Sequence, residues 1–278
     1  MFGVEPFEES IKRLVANGIR FVELKGDHFT ADSGLGVDHI KEVLEQHGVS
    51  VSGACGMYTG DNDLSSNNAY VRQRALDYIR AEIEIVAALG GHYLIVVPSA
   101  VGRPVPVDSV EFQRSTETVR RCADEFAAAG IAAAVEPIRA AEVSLVHSVN
   151  EALRYIERVS HSGIAHINGD IYHMWVEEDH IGEAVIACGD RLVNLHLADS
   201  NRGALGSGMM DVDTVIMAAY LVGMNQPGRF LTPEPLGAIR DPYVRGTQPC
   251  NAAEMDALVQ ETVSYFRARE KAVRELIA

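Results

Sequence analysis

Cysteine is sparse. The four present, Cys55, Cys122, Cys188 and Cys250, lie 62 to 67 residues apart with no C-x-x-C pair. That spacing suggests neither a disulfide framework nor a thiolate zinc site and leaves buried free thiols as the reading. Positive charge is also scarce: 24 Lys and Arg stand against 39 Asp and Glu, a net charge of −15 and a pI of about 5.1. Such a surface repels phosphate backbones and no Lys/Arg cluster reverses it locally, so no nucleic acid partner is expected. Apolar runs of roughly 18 residues, the length that spans a bilayer, do not occur, and Met1 to Pro6 lacks the positive start and apolar stretch of a signal peptide. The expectation is a soluble, cytoplasmic protein with no membrane partner. Linkers, low-complexity tracts and repeats are missing as well, so residues 1–278 read as one domain. Neither G-x-G-x-x-G after the first strand nor G-x-x-x-x-G-K-[ST] occurs, which removes support for the usual nucleotide-binding open sheets.

What is present is ample apolar material. The chain is 47% hydrophobic and 23% charged, enough for a large core, and its 278 residues suit two average domains or one β/α barrel of roughly 250. Short β-rich apolar runs alternate with stretches of helical period, the pattern of parallel strands joined by crossover helices. The runs predict strands at Phe21 to Lys25, Val49 to Ala54, Tyr93 to Pro98, Ala132 to Pro137, Ile164 to Asp170, Leu192 to Ala198 and Phe230 to Glu234. Helices are expected at Phe7 to Ala16, Asn68 to Leu89, Phe112 to Ala129, Asn150 to Val159 and Val212 to Val222, most ending at a glycine suited to a left-handed cap. A long terminal helix, about Ala253 to Ile277, should pack across the outside with a solvated charged face. Only Met1 to Val4 remain for a strand ahead of the first helix, so the expected α/β fold is a TIM (β/α)8 barrel with a short or truncated first strand.

The polar residues favour the barrel over the open sheet, because acids and imidazoles recur at the C-terminal ends of the late strands, where barrel enzymes place their chemistry. Glu136 ends Ala-Ala-Ala-Val-Glu-Pro, Asp170 ends Ala-His-Ile-Asn-Gly-Asp, His196 lies in Val-Asn-Leu-His-Leu-Ala-Asp, and Glu234 lies in Phe-Leu-Thr-Pro-Glu-Pro. Three carboxylates converging at a barrel mouth repel unless a cation sits between them. Two Glu, one Asp and one His form an oxygen-dominated donor set that suits Mn²⁺, Mg²⁺ or Co²⁺ better than structural zinc, with Zn²⁺ left open. Strand alternation turns Asn168 and His166 the same way as Asp170, and Asn194 the same way as His196, which predicts a polar layer beneath the cation. For His166, filling the barrel interior is the preferred reading over ligation.

The strings Glu136-Pro-Ile-Arg-Ala-Ala-Glu142, Asp170-Ile-Tyr-His173-Met and His196-Leu-Ala-Asp-Ser-Asn-Arg202, followed by Gly206-Ser-Gly208-Met-Met-Asp211 and Glu234, resemble the xylose-isomerase-like sugar isomerase/epimerase superfamily. Within it they look most like ketose 3-epimerases of the D-tagatose 3-epimerase type, over residues 7 to 275. The resemblance implies that Glu136, Asp170, His196 and Glu234 bind one divalent metal, most simply Mn²⁺, and that Glu136 and Glu234 also act as the acid/base pair. It further implies that His173 and Arg202 contact substrate oxygens, that Glu142 holds the sugar or orients His173, and that the protein forms dimers or tetramers. Inverting a carbon beside a carbonyl requires one group to remove its proton and another to return one on the opposite face, with a metal stabilising the enediolate between. An aldose–ketose isomerase or a cyclic polyol-ketone dehydratase would begin with the same step. Apurinic endonucleases of this superfamily need more metal-binding histidines and a basic face, which this chain lacks. A non-catalytic metal-binding barrel would leave the acid/base pair without a purpose.

Several residues keep two readings. Glu23 either pairs inside the barrel top or binds sugar, with His28 following it in a loop. Tyr58 either stacks on a sugar or is a plain loop aromatic, and the single tryptophan, Trp175, either walls the pocket or meets another subunit. Gly206 and Gly208 either cradle a phosphate beside Arg202 or form a tight turn. Arg139 reads as a surface ion pair.

Overall fold

In a computed structural model, residues 5–26, 36–237, 249 and 251–277 are described. Seven strands form one parallel sheet in chain order: β1 (Phe21–Lys25), β2 (Ser50–Cys55), β3 (Tyr93–Val96), β4 (Ala132–Val135), β5 (His166–Asp170), β6 (Leu192–Leu197) and β7 (Phe230–Pro233). With helices between them they make a nearly closed TIM-type barrel. Each strand matches its predicted run to within two residues at either end. Met1 to Val4, the expected stub of a first strand, lie outside the described residues, as do His28 and Cys250.

The helices are α1 (Phe7–Ala16), α2 (Val37–His47), α3 (Ala69–Ala88), α4 (Glu111–Arg120), α5 (Ala123–Ala129), α6 (Val149–Val159), α7 (Ile171–Glu177), α8 (Ile181–Cys188), α9 (Val212–Leu221) and α10 (Ala252–Ile277). In α6 the sequence dictates both start and face: Ser148 Oγ accepts from Glu151 N, while Val149, Ala152, Tyr155, Ile156 and Val159 recur at helical spacing and are buried. The single helix expected over Phe112 to Ala129 is instead two, α4 and α5. Thr116 and Thr118 turn their hydroxyls back onto the carbonyls of Gln113 and Arg114, and Arg121 N and Cys122 N bond only three residues back, so the helix tightens and breaks there. Gly130 (φ 68°) then reverses the chain toward β4.

Alternation divides the strand residues between two cores. Leu94, Val96, Ala133, Val135, Ile167 and Leu195 face the helices and join Leu76, Ile79, Phe126 and Tyr155 in the main core. Each fully buried large side chain there contributes about 1.5–3 kcal/mol relative to exposure. Tyr93, Ile95 and Ala134 face inward and cluster with Val193, which the β5–β6 register irregularity leaves unmatched, and with the half-buried Phe230. β1 and β7 are not paired among the described residues, although the Phe21 and Phe230 rings meet at 5.4 Å. Beside this seam lies a cavity of about 380 Å³, lined in part by Leu14, Val22, Leu231, Val259 and Phe266. As expected, α10 lies on the outside, packed on α9 and α1, with Arg13 Nε donating to Asp256 at 2.6 Å. Cys122 and Cys188 are buried free thiols and Cys55 is a half-buried one. No helix among the described residues is long and apolar enough to cross a membrane.

Candidate active site

The C-terminal ends of β4 to β7 bring together the four strand-end residues singled out from the sequence. Asp170 closes β5 and pairs in register with His196 of β6, which in turn pairs with Thr232 of β7. Glu136 and Glu234 each leave a strand with the backbone N–H still bonded to the neighbouring strand, Glu136 to Val96 O at 3.0 Å and Glu234 to Leu197 O at 2.8 Å. All four side chains are buried. His196 Nδ1 lies 3.7 Å from Glu136 Oε1 and 3.7 Å from Glu234 Oε2. Two sets of donor atoms fall within 4.8 Å of one another, Glu136–Asp170–His173 and Asp170–His196–Glu234.

His173 follows on α7, whose N-terminus Asp170 caps by accepting from Tyr172 N at 2.9 Å, and its Nε2 lies 3.3 Å from Asp170 Oδ2. Arg202 is buried and reaches Glu234 Oε2 at 3.2 Å and Asp170 Oδ2 at 3.8 Å. Glu142 sits at the edge, 2.5 Å from Arg139 Nε and 4.0 Å from Arg202 Nη1. The partner of His173 among the described residues is thus Asp170 rather than Glu142. Glu136, Glu142, His173, Arg202 and Glu234 all line one small pocket, whose remaining wall is apolar and includes Met57, Val97 and Ile138. Arg139 goes beyond a surface pair: it also donates to Tyr172 OH at 2.6 Å, and the guanidinium groups of Arg139 and Arg202 lie 4.8 and 4.7 Å from the centre of the Tyr172 ring.

The loop carrying Arg202 is organised by a residue to which sequence reasoning gave no role, Asp199. Its buried carboxylate accepts from Ser200 N (2.8 Å), Met210 N (3.0 Å) and Gly206 N (2.7 Å), and its carbonyl accepts from Arg202 N at 2.7 Å. These bonds hold Arg202 at φ 57°, a left-handed conformation that costs a non-glycine residue on the order of 1–3 kcal/mol. Gly208 must be glycine, since a Cβ there would fall 2.2 Å from Asp199 Oδ1. The Gly206 amide is therefore already bonded to a carboxylate, and the tight-turn reading of Gly206 and Gly208 replaces the phosphate cradle.

Electrostatics separate the two glutamates. Burial, reinforced by the neighbouring acids Asp170, Glu234 and Glu23, pushes Glu136 up to about 8 against the pull of His196. Burial also raises Glu234, but His196 and Arg202 outweigh it and leave that carboxyl below its ordinary value. Asp170 is raised to about 6, mainly by burial. Burial opposes charge on His196, yet Glu23 and Glu234 raise it well above the usual imidazole value. His173 is held well below it by burial and by Arg202. Paired carboxyls driven apart in this way suit a donor and an acceptor of protons at neutral pH.

The donor set also fits a divalent cation. Asp170 Oδ2, near the guanidinium of Arg202 and the ring of His173, and His173 Nδ1 are buried and make no hydrogen bond among the described residues. Buried polar atoms are seldom left so, and an acid-rich cluster of oxygen donors with one imidazole is the chemistry of hard divalent ions.

The remaining sequence candidates divide. Glu23 turns inward and pairs with His196 at 2.9 Å, the first of its two readings. Tyr58 is fully buried and packs edge-on against Tyr78, so it is a core aromatic. Trp175 is 41% exposed on α7 and does not line the pocket. His166 is half-buried at the start of β5 and belongs to neither donor set, consistent with a filling role.

The pattern of the xylose isomerase-like TIM barrel family matches residues 11–229. A ketose 3-epimerase of Arthrobacter globiformis is 27% identical over 229 residues, covering 81% of this chain and 77% of that protein. A 3-dehydro-D-guloside 4-epimerase of Escherichia coli (strain K12) is 29% identical over 245 residues, covering 80% of this chain and 90% of that one. Among solved structures, an L-ribulose 3-epimerase superposes with a TM-score of 0.84 at 20% identity, over 100% of this chain and 95% of that one.

Proposed function

The chain belongs to the xylose isomerase-like TIM barrel family, and from that membership we propose that it is a divalent-metal-dependent sugar epimerase, an isomerase-class enzyme that inverts C3 of a ketose. The observation carrying this reading is the burial, at four adjoining strand ends, of Glu136, Asp170, His196 and Glu234 around an Asp170 oxygen that accepts no hydrogen bond among the described residues. These four residues would hold the cation, Mn²⁺ in the first instance, with Mg²⁺, Co²⁺ or Zn²⁺ suited to similar donors. A bound divalent ion would polarise the substrate carbonyl and neutralise the carboxylates.

The protein's own groups supply the proton transfers. One of Glu136 and Glu234 removes the proton on C3, and the other returns a proton to the opposite face; the configuration of the sugar decides which acts first. His173, kept neutral by burial, and Arg202, always charged, are placed to hydrogen-bond substrate oxygens beside the reacting carbon. Glu142 sits at the pocket edge, where it restrains Arg139 and meets sugar hydroxyls. The apolar wall of Met57, Val97 and Ile138 excludes water from the carbanion-like intermediate.

A second reading draws on the 29% identity to the E. coli 4-epimerase over 90% of its length. Inversion beside a ring ketone uses the same two-carboxyl transfer and differs only in which carbon faces the pair. Replacing either carboxylate decides the chemistry. Glu136→Gln and Glu234→Gln should each lower turnover on an accepted sugar by about 10²–10⁴-fold, the usual worth of a positioned acid or base. Turnover unchanged in both variants overturns the proposal.

A further inference from the structure

We propose that Glu23 is a positioning residue that sets divalent-metal affinity by orienting His196; the inference rests on reading the acid–imidazole cluster as the metal site. Its two carboxylate oxygens lie 2.9 and 3.0 Å from His196 Nε2. The other ring nitrogen, Nδ1, faces Glu136 and Glu234 at 3.7 Å each, with only a long contact to Asn168 Nδ2 at 3.4 Å besides among the described residues. A carboxylate accepts but does not donate, so in the neutral imidazole the one hydrogen belongs on Nε2, and Nδ1 is the nitrogen that can turn its lone pair to a cation.

Glu23 is itself held from two other sides. Tyr93 OH donates to its Oε2 at 2.7 Å, and Asn194 Nδ2 donates to the same oxygen at 3.2 Å. Asn194 in turn donates to Asn168 Oδ1 at 2.8 Å and accepts from Thr232 Oγ1 at 2.7 Å. Residues from β1, β3, β5, β6 and β7 thereby form one bonded platform directly under the acidic cluster. The backbone is shaped for it. The β1–β2 register skips a residue at Glu23, since Val22 pairs with Val51 but Glu23 pairs with Gly53. At Gly53 a Cβ would lie 2.5 Å from Tyr93 O and 2.6 Å from the Tyr93 ring, so only glycine lets Tyr93 cross to Glu23.

Sugar binding is not the role of this carboxylate. Its oxygens are engaged by an imidazole, a phenol and an amide, and the residue does not line the pocket shared by Glu136, His173 and Glu234. It acts through His196. Loss of an outer carboxylate of this kind weakens metal binding by about 10–100-fold.

The test is Mn²⁺ titration calorimetry on metal-stripped, full-length protein, paired with thermal melting and with turnover across Mn²⁺ concentrations. Glu23→Gln should raise the Mn²⁺ dissociation constant about 10–100-fold, keep a cooperative melt, and recover most of its turnover when Mn²⁺ is in excess. Tyr93→Phe, which removes one supporting bond, should raise it a few-fold. Leu24→Ala, a buried neighbour on the opposite face of β1, should lower the melting temperature and leave the Mn²⁺ affinity unchanged. Wild-type protein that binds Mn²⁺, with a folded Glu23→Gln that binds equally well, overturns the role of Glu23 alone. Wild-type protein that takes up no divalent ion overturns the metal reading and the inference together.

Discussion

The lower and upper parts of the barrel interior come from the same inward faces of the same strands, yet opposite forces hold them. At the bottom, the Phe230 ring lies 5.4 Å from Phe21, 5.4 Å from His92 and 5.8 Å from Tyr93, in one cluster with Ile95 and Ala134. Removing apolar surface of Tyr93, Ile95, Ala134 and part of the Phe230 ring from water is favourable there. Four residues beyond Phe230 along the chain, at Glu234, burial works against the fold, because each carboxylate loses its water and gains like-charged neighbours. Between them lies the amide and hydroxyl layer of Asn168, Asn194 and Thr232, which is satisfied internally. The lower interior stabilises the barrel, and the upper interior gives up stability to keep donor atoms poised for a cation and a substrate.

Exchanging one residue from each layer should produce opposite phenotypes. Asp170→Asn keeps the cap on α7, because an amide oxygen can still accept from Tyr172 N, but it removes a charge from the cluster. Mn²⁺ affinity measured by calorimetry should fall more than about 100-fold, exceeding the loss expected for an outer partner, while the metal-free protein melts no lower than wild type at pH 7. Phe230→Ala should lose about 2 kcal/mol in chemical denaturation and keep its turnover within a few-fold. A variant at either layer that shows the other's phenotype would dissolve the distinction.

The pH dependence of the metal-free protein sharpens the contrast. Glu136 is raised from 4.5 to about 8 and Asp170 from 3.8 to about 6, so the folded state binds more protons than the unfolded chain between those values. Stability should therefore fall as pH rises from about 5 to 8. His196, raised by its acidic neighbours, adds to the same slope, since its contribution is lost as pH rises through its folded value. Glu234, lowered, acts the other way, and only on the acidic side of 4.5. Melting temperatures of metal-stripped protein should drop across this window. Mn²⁺ should raise them most at the upper end, and Glu136→Gln should flatten the slope. A flat or rising curve for the wild type contradicts the assignment.

The smallest effect is expected at the rim. Asp199→Asn weakens the three amide bonds that hold the Arg202 loop without touching the cluster itself. KM should rise about tenfold, the equivalent of roughly 1.4 kcal/mol, with kcat nearly unchanged. A fall in kcat with KM constant would move Asp199 into the chemistry instead of the loop.

The strand ends were legible in the sequence because an apolar run that stops at an acid is a local pattern, and parallel strands in consecutive order place such stops side by side. Glu136, Asp170, His196 and Glu234 converge for that reason. What stayed hidden depends on distance or on double duty. Glu23 stands out at the end of its strand, but its partner His196 lies 173 positions away, so no spacing names the pair. Asp170 is both the last residue of β5 and the cap of α7, and α7 has only seven residues, too few for a helical period to show. The helix α8 is apolar on most of its positions and lacks a distinct polar face. The helix α2 is also absent from the expected elements, although Ile40, Val43 and Leu44 recur at helical spacing.

The most direct test of a metal-dependent proton-transfer site in the upper barrel is deuterium incorporation. Metal-stripped protein, with and without added Mn²⁺, is incubated with a panel of free ketoses in D₂O and followed by NMR. Exchange at C3 should require Mn²⁺ and, for each ketose, whichever of Glu136 and Glu234 faces its C3 proton. Exchange at C1 would reassign the reaction to aldose–ketose isomerisation. Exchange that proceeds equally without metal, or that survives in both Glu136→Gln and Glu234→Gln, would contradict the central claim.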